Sequence, residues 1–149
     1  MNTNERIEVR KWVQDAIILY ESAGKETLLR EIADPKGRFV SNDRYIFALD
    51  LDGKMVANPM EPALTGKNLI DFRDSEGNTF IRKIVGTSKS KGYGFADYKW
   101  HRPGSEDELD KTVFFERIDG IVLCGGFYRP KESLMDTLYK CFQFYGGPI

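Results

Sequence analysis

The sequence is poor in the residues that usually carry chemistry. Its 149 residues include one histidine and two cysteines. A single histidine, His101, excludes multi-histidine metal sites, and no serine sits in a G-x-S-x-G context that would support a hydrolytic triad. As a residue at a strand end, His101 reads as a solvated polar group rather than a catalytic base. Cys124 and Cys141 form no C-x-x-C pair and lie far from His101, so neither structural zinc nor a redox motif fits. If Met1 is the native start, the compartment is reducing and two free thiols are expected rather than a bridge. A surplus of charge is missing too: 22 Lys and Arg face 23 Asp and Glu, a net of -1. Without a basic excess there is nothing to release counterions from nucleic acid, and no nucleic-acid partner is expected. The apolar stretch 16–20 falls far short of the roughly 20 residues that cross a bilayer. No phosphate loop is present, because Gly92-Tyr-Gly-Phe lacks the third glycine and the strand-to-helix setting of a dinucleotide motif. Asp50 and Asp52 are explained by hairpin chemistry beside Gly53. The expectation is a non-enzyme with no cofactor and no metal.

What is present is the composition of a folded domain: 41% hydrophobic and 30% charged residues. The length suits one domain spanning 1–149, divided into N-terminal helices (5–33), a core (34–130) and a C-terminal helix and tail (131–149). Val9, Trp12, Val13, Ala16, Ile17 and Tyr20 recur at helical spacing and lay one apolar stripe along a long first helix. Gly24 interrupts the pattern, Leu28, Leu29 and Ile32 resume it, and Asp34-Pro35-Lys36-Gly37 ends it.

From Arg44 the period becomes two. Tyr45, Phe47 and Leu49 point one way, Ile46 and Ala48 the other, and Asp52-Gly53 turns the chain into a second strand at 54–57. A loop with Pro59, Pro62 and Gly66 follows, then a short helix over 79–85. Strands are expected at 94–101, 111–118 and 121–128, the last two joined by Asp119-Gly120. The acidic stretch 102–110 reads as a solvated loop. Beyond Pro130, Leu134, Leu138, Tyr139 and Phe142 mark a final helix. The fold class is therefore α+β: a long N-terminal helix packed on a roughly five-stranded antiparallel sheet of the PAS-like kind.

Several segments match a known pattern in order and spacing: Asp34-Pro-Lys-Gly-Arg-Phe-Val, Tyr45-Ile-Phe-Ala-Leu-Asp with Asp52-Gly53, Ala57-Asn-Pro, Gly66-Lys-Asn, Phe95-Ala-Asp-Tyr-Lys-Trp with Pro103, Lys111 and Gly125-Gly-Phe-Tyr. Together they resemble the single Cache domain family over residues 5–130. That family comprises small-molecule sensor domains, mostly outside the membrane, in bacterial chemoreceptors and sensor kinases. The resemblance implies a pocket between sheet and loops that takes a short organic acid such as acetate, propionate, lactate or pyruvate. Alternation puts Tyr98 and Trp100 on one face and Tyr45 and Phe47 on one face of the first strand, which together would wall an aromatic box. Lys111 matches the family's lysine as a cation for a carboxylate; it also reads as a neutraliser of the acidic stretch beside it. Arg44 is the reserve cation. Asn58 stands where many members have a histidine, and an amide offers only hydrogen bonds. The acidic stretch, if folded over the pocket, would repel an anion.

The competing expectation is a structural or interaction subunit, as a homodimer or recruited to a larger complex. Trp12, Tyr20, Phe142, Phe144 and Tyr145 are its candidate anchors, or ordinary core residues. A native Met1 implies a cytoplasmic protein; an excised sensor fragment implies a periplasmic or extracytoplasmic one.

Overall fold

A computed structural model of the chain describes residues 3–130. Helix α1 runs Thr3–Ala23 and α2 Lys25–Ala33, separated by Gly24 at φ 90, a conformation that costs any other residue dearly. Val9, Val13 and Ala16 from α1 and Leu28 and Ile32 from α2 are fully buried. The apolar stripe read from the sequence is thus the packed one.

Six strands follow: β1 Val40–Ser41, β2 Arg44–Asp50, β3 Met55–Ala57, β4 Tyr93–His101, β5 Glu108–Ile118 and β6 Ile121–Arg129. They form one antiparallel sheet in the order β1-β2-β6-β5-β4, with β3 also on β2. Helix α3, Phe80–Ser90, lies between β3 and β4 in sequence and packs on β4 and β5. Both expected hairpin turns form, with Gly53 at φ 93 and Asp119 at φ 51.

Beyond shifts of a residue or two at element ends, three features differ from expectation. The two-residue β1 was missed because only its pairing with Arg44 and Tyr45 defines it. Helix α3 continues to Ser90. Strand β5 begins at Glu108, so the acidic stretch is loop only as far as Asp107. Its charges sit at strand positions that allow them: Leu109 turns inward, while Asp110 pairs with Lys99 across the β4–β5 register at 2.8 Å. The C-terminal residues expected to form a helix and tail, Leu134, Leu138, Tyr139, Phe142, Phe144 and Tyr145, lie outside the described residues, as does Cys141. No described helix is long and apolar enough to cross a membrane.

The sheet separates two cores. One face packs α1 and α2 against Ile46, Ala48, Phe114, Leu123 and Phe127. The other packs α3 and the β3–α3 segment against Tyr45, Phe47, Tyr98, Val113, Val122 and Cys124. Trp12 donates its Nε1–H to the Arg38 carbonyl and Tyr20 its hydroxyl to Asp119 Oδ2, so both aromatics tie helix to sheet.

Candidate functional site

The pleat of the sheet decides which side chains meet. On β4, β5 and β6 the pairing sets Tyr98, Lys111 and Tyr128 in one cross-strand row, on the face opposite the N-terminal helices. The next row is small: Ala96, Val113 and Gly126. A Cβ at Gly126 would lie 2.9 Å from Lys111 Cε, so the lysine stem occupies the space that glycine leaves. Lys111 thereby reaches across β6 to the aromatic pair on β2. Its Nζ lies 4.2 Å from the Tyr45 ring centroid, 5.4 Å from Phe47 and 5.0 Å from Tyr128.

Lys111 is 1% exposed, and its Nζ has no hydrogen-bond partner among the described residues. The alternative expectation, that it neutralises the acidic stretch, fails, because it faces the aromatic interior while Lys99 pairs with Asp110. Ring faces attract the charge but accept none of its protons. An ammonium buried without a partner is costly, and an anion beside it would offset that cost. Lys111 is also the fourth residue of β5 rather than its first, which explains its depth.

The surrounding groups stay neutral. Burial pushes the Tyr98 phenol well above its ordinary value, with the Tyr45 phenol adding to the effect. Burial does the same to Tyr128, again aided by Tyr45, and its hydroxyl donates to the His101 carbonyl at 2.9 Å. Burial raises the free Cys124 thiol, although the Lys111 charge pulls the other way. The ensemble is one lysine beside two phenols and a thiol that burial keeps protonated.

Next to it lies a cavity of about 20 Å³ lined by Phe47, Met55, Asn58, Leu64, Leu69, Phe80, Ile81, Tyr98 and Trp100. Phe47 is shared by the lysine cluster and the cavity. The expected single aromatic box therefore splits into two neighbouring groups. Tyr45 and Phe47 wall the lysine, whereas Tyr98 and Trp100 join Phe80 and Phe72 in a second aromatic cluster. The cavity is smaller than the expected hollow because Phe80 stacks on Tyr98 with 3.9 Å between centroids. Asn58 lines it, but its Oδ1 is used to accept the Met60 and Glu61 amides at 3.0 and 2.9 Å. Arg44, the reserve cation, is elsewhere: it pairs with Glu5 and Glu8 of α1 on the helix side of the sheet.

Sequence reasoning missed Glu61. This loop carboxylate accepts the Trp100 indole N–H at 2.9 Å and sits 2.8 Å from His101 Nε2, fastening the β3–α3 segment to β4. His101 is thus pinned by Glu61 while its side chain stays 37% exposed. An open hollow of about 360 Å³ adjoins this link, lined by Met60, Glu61, His101, Pro103, Gly104, Ser105 and Glu106. The acidic stretch borders that hollow and does not line the cavity. Asp74 makes a second fastening, accepting the amides of Glu76, Asn78 and Lys99 and the Asn78 side-chain amide. Burial opposes its ionisation, but those donors outweigh it and hold its carboxyl below the ordinary 3.8. No signal in the sequence pairs Glu61 or Asp74 with β4, since the partners lie 25 to 40 residues away.

Comparison with known proteins gives a consistent picture. The family model described as "Single Cache domain 2" matches residues 20–129. The sensor histidine kinase MctS of Rhizobium johnstonii is 32% identical over 77 residues, covering 52% of this chain and 16% of that protein. The methyl-accepting chemotaxis protein McpP of Pseudomonas putida is 28% identical over 116 residues, covering 72% of this chain and 21% of that protein. The chain therefore spans only a small part of the length of these relatives. Among solved structures, a periplasmic sensor domain of a chemotaxis protein superposes with TM-score 0.79 at 27% identity, covering 87% of this chain and 99% of that one. A Cache chemosensory domain solved for carboxylic acid recognition gives TM-score 0.74 at 25% identity, covering 86% of this chain and 95% of that one.

Proposed function

The chain belongs to the single Cache domain family of sensor domains, and from that premise we propose that its Lys111 pocket senses a short organic monocarboxylate. The observation that carries this reading is the buried Lys111 Nζ, without a partner among the described residues, set among aromatic rings beside an apolar cavity. One carboxylate oxygen at Nζ would neutralise the buried charge, and a short apolar tail would enter the cavity past Phe47. A second carboxylate would be left unpaired among Met55, Leu69 and Phe80, a penalty of several kcal/mol for a charge in such a place. A similar domain is named for carboxylic acid recognition, which supports the same ligand class. The pocket serves an extracytoplasmic receptor domain, as in the similar periplasmic sensor, with the binding event read by segments outside the domain. Tyr45, Phe47, Asn58, Tyr98 and Trp100 shape the site around Lys111, and no catalytic step is assigned to it.

The tight cavity favours a second reading, a Cache fold kept as a structural or interaction subunit with its pocket closed by its own aromatics. Thermal unfolding with a panel of two- to five-carbon acids separates the two. An acid at about a hundred times its dissociation constant adds roughly 2.7 kcal/mol to the native state. The sensor reading expects a clear rise in Tm with at least one monocarboxylate and none with the matching dicarboxylate. A flat response across the panel leaves the structural reading.

A further inference from the structure

We infer that Phe80 sets the longest acid the pocket accepts, an inference that rests on the reading of Lys111 as the carboxylate anchor. A ligand oxygen bonded to Lys111 Nζ fixes one end of the molecule. Phe47 touches both regions, lying 5.4 Å from Nζ and lining the cavity, so the rest of the ligand passes beside it. The far end then meets α3. Phe80, the first residue of that helix, is 5% exposed and lies flat on Tyr98, with 9° between the rings. Centroids 3.9 Å apart leave no space between the two rings for another atom. Phe72 and Trp100 meet the Phe80 ring edge-on at 6.0 and 5.7 Å, holding it against lateral displacement.

The space that remains is about 20 Å³, against roughly 10–15 Å³ for one water-sized sphere. That is room for one or two carbons on the Phe80 side of Phe47 and no more. Other walls are poorer candidates for the length limit. Phe47 and Tyr98 sit in paired strands, Met55 is flexible enough to yield, and Asn58 is committed to its turn. Phe80 alone brings a rigid ring to the end of the cavity from an element outside the sheet.

The test is calorimetric titration of the wild-type protein, Phe80→Leu and Phe80→Ala with acetate, propionate, butyrate, pentanoate and hexanoate. Each methylene buried without clash strengthens binding about fourfold. The wild type is expected to bind tightest at acetate or propionate and at least about tenfold more weakly from butyrate onward, the penalty for overfilling a packed site. Phe80→Ala is expected to continue gaining about fourfold per carbon through pentanoate, with Phe80→Leu intermediate. Circular dichroism establishes that each variant folds, and Phe80→Leu alone decides the matter if the alanine variant does not. Acids that bind all folded variants with one unchanged length limit overturn the role of Phe80 and leave the carboxylate reading standing. Failure of every acid to bind the wild type overturns that reading and the inference with it.

Discussion

Replacing Lys111 by methionine separates what the lysine costs from what it does. Methionine keeps an unbranched stem of similar volume, so the space left by Gly126 stays filled. The substitution removes a buried ammonium that has no hydrogen-bond partner, a penalty of about 1–3 kcal/mol or more for a charged group. It also removes attraction to the Tyr45, Phe47 and Tyr128 rings, worth about 2 kcal/mol when desolvated, against the larger cost, several kcal/mol, of holding a charge out of water. The difference favours the variant by roughly 1 kcal/mol, and at about 2–4 °C per kcal/mol for a chain of this size the ligand-free Tm is expected to rise by a few degrees. Saturating acid raises the wild-type Tm by about 5–10 °C on the same conversion and leaves Lys111→Met unmoved. The two proteins should therefore exchange rank: the variant is the more stable alone, the wild type the more stable with ligand. Differential scanning fluorimetry with and without propionate reads both. A variant more than about 2 kcal/mol less stable than the wild type would mean that Lys111 is a structural ion after all, and an undiminished ligand shift would remove it from the site.

Two further outcomes follow from the packing. Asp74→Ala takes four hydrogen bonds from the β3–α3 segment and should cost about 1.5–3 kcal/mol at neutral pH. Because the folded-state carboxyl titrates below 3.8, its contribution is complete above that value and fades as pH falls through the lower folded one. Urea midpoints of wild type and variant should accordingly converge under strongly acidic conditions, and a difference that persists there would assign the loss to packing instead. Gly126→Ala puts a methyl 2.8 Å from the Thr112 carbonyl oxygen and 2.9 Å from Lys111 Cε. It should destabilise the protein by about 1–3 kcal/mol and weaken acid binding together, whereas a stable variant with intact binding would show that the lysine stem has another path.

What the sequence makes legible is whatever local periodicity controls. Ala96, Tyr98 and Trp100 share a face, as do Tyr45 and Phe47, because successive strand residues alternate, and that alternation survives any docking of the helices. Turn chemistry at Gly24, Gly53 and Asp119 is equally local. Lys111 was visible by residue type and strand position, but its depth was not, since that depends on β5 beginning at Glu108 within an acidic stretch. The division of the aromatics into two clusters depends on where α3 docks, and no run of residues near Phe80 encodes its stack on Tyr98. Glu61 looks like an ordinary loop carboxylate until the fold brings Trp100 and His101 beside it.

Strand β6 shows why the charge can be buried on one face at all. Its residues alternate between the two cores, so Leu123, Gly125 and Phe127 meet the helices while Cys124, Gly126 and Tyr128 meet the lysine. The adjacent glycines look equivalent in the sequence, yet each removes a Cβ on the opposite side. At Gly125 it would strike Val13 of α1 at 2.8 Å, and at Gly126 it would strike the Lys111 stem. The first lets an apolar helix approach closely and secures the fold through dense packing. The second spends part of that security on an amino group with no hydrogen-bond partner among the described residues. A packed apolar residue at 111 is expected to make the stabler protein, and a lysine there fits the proposed recognition role better than a folding role. The helix-side core supplies the stability that this costs, and under the proposed reading a ligand at Lys111 would act on β5, whose other face α1 rests on.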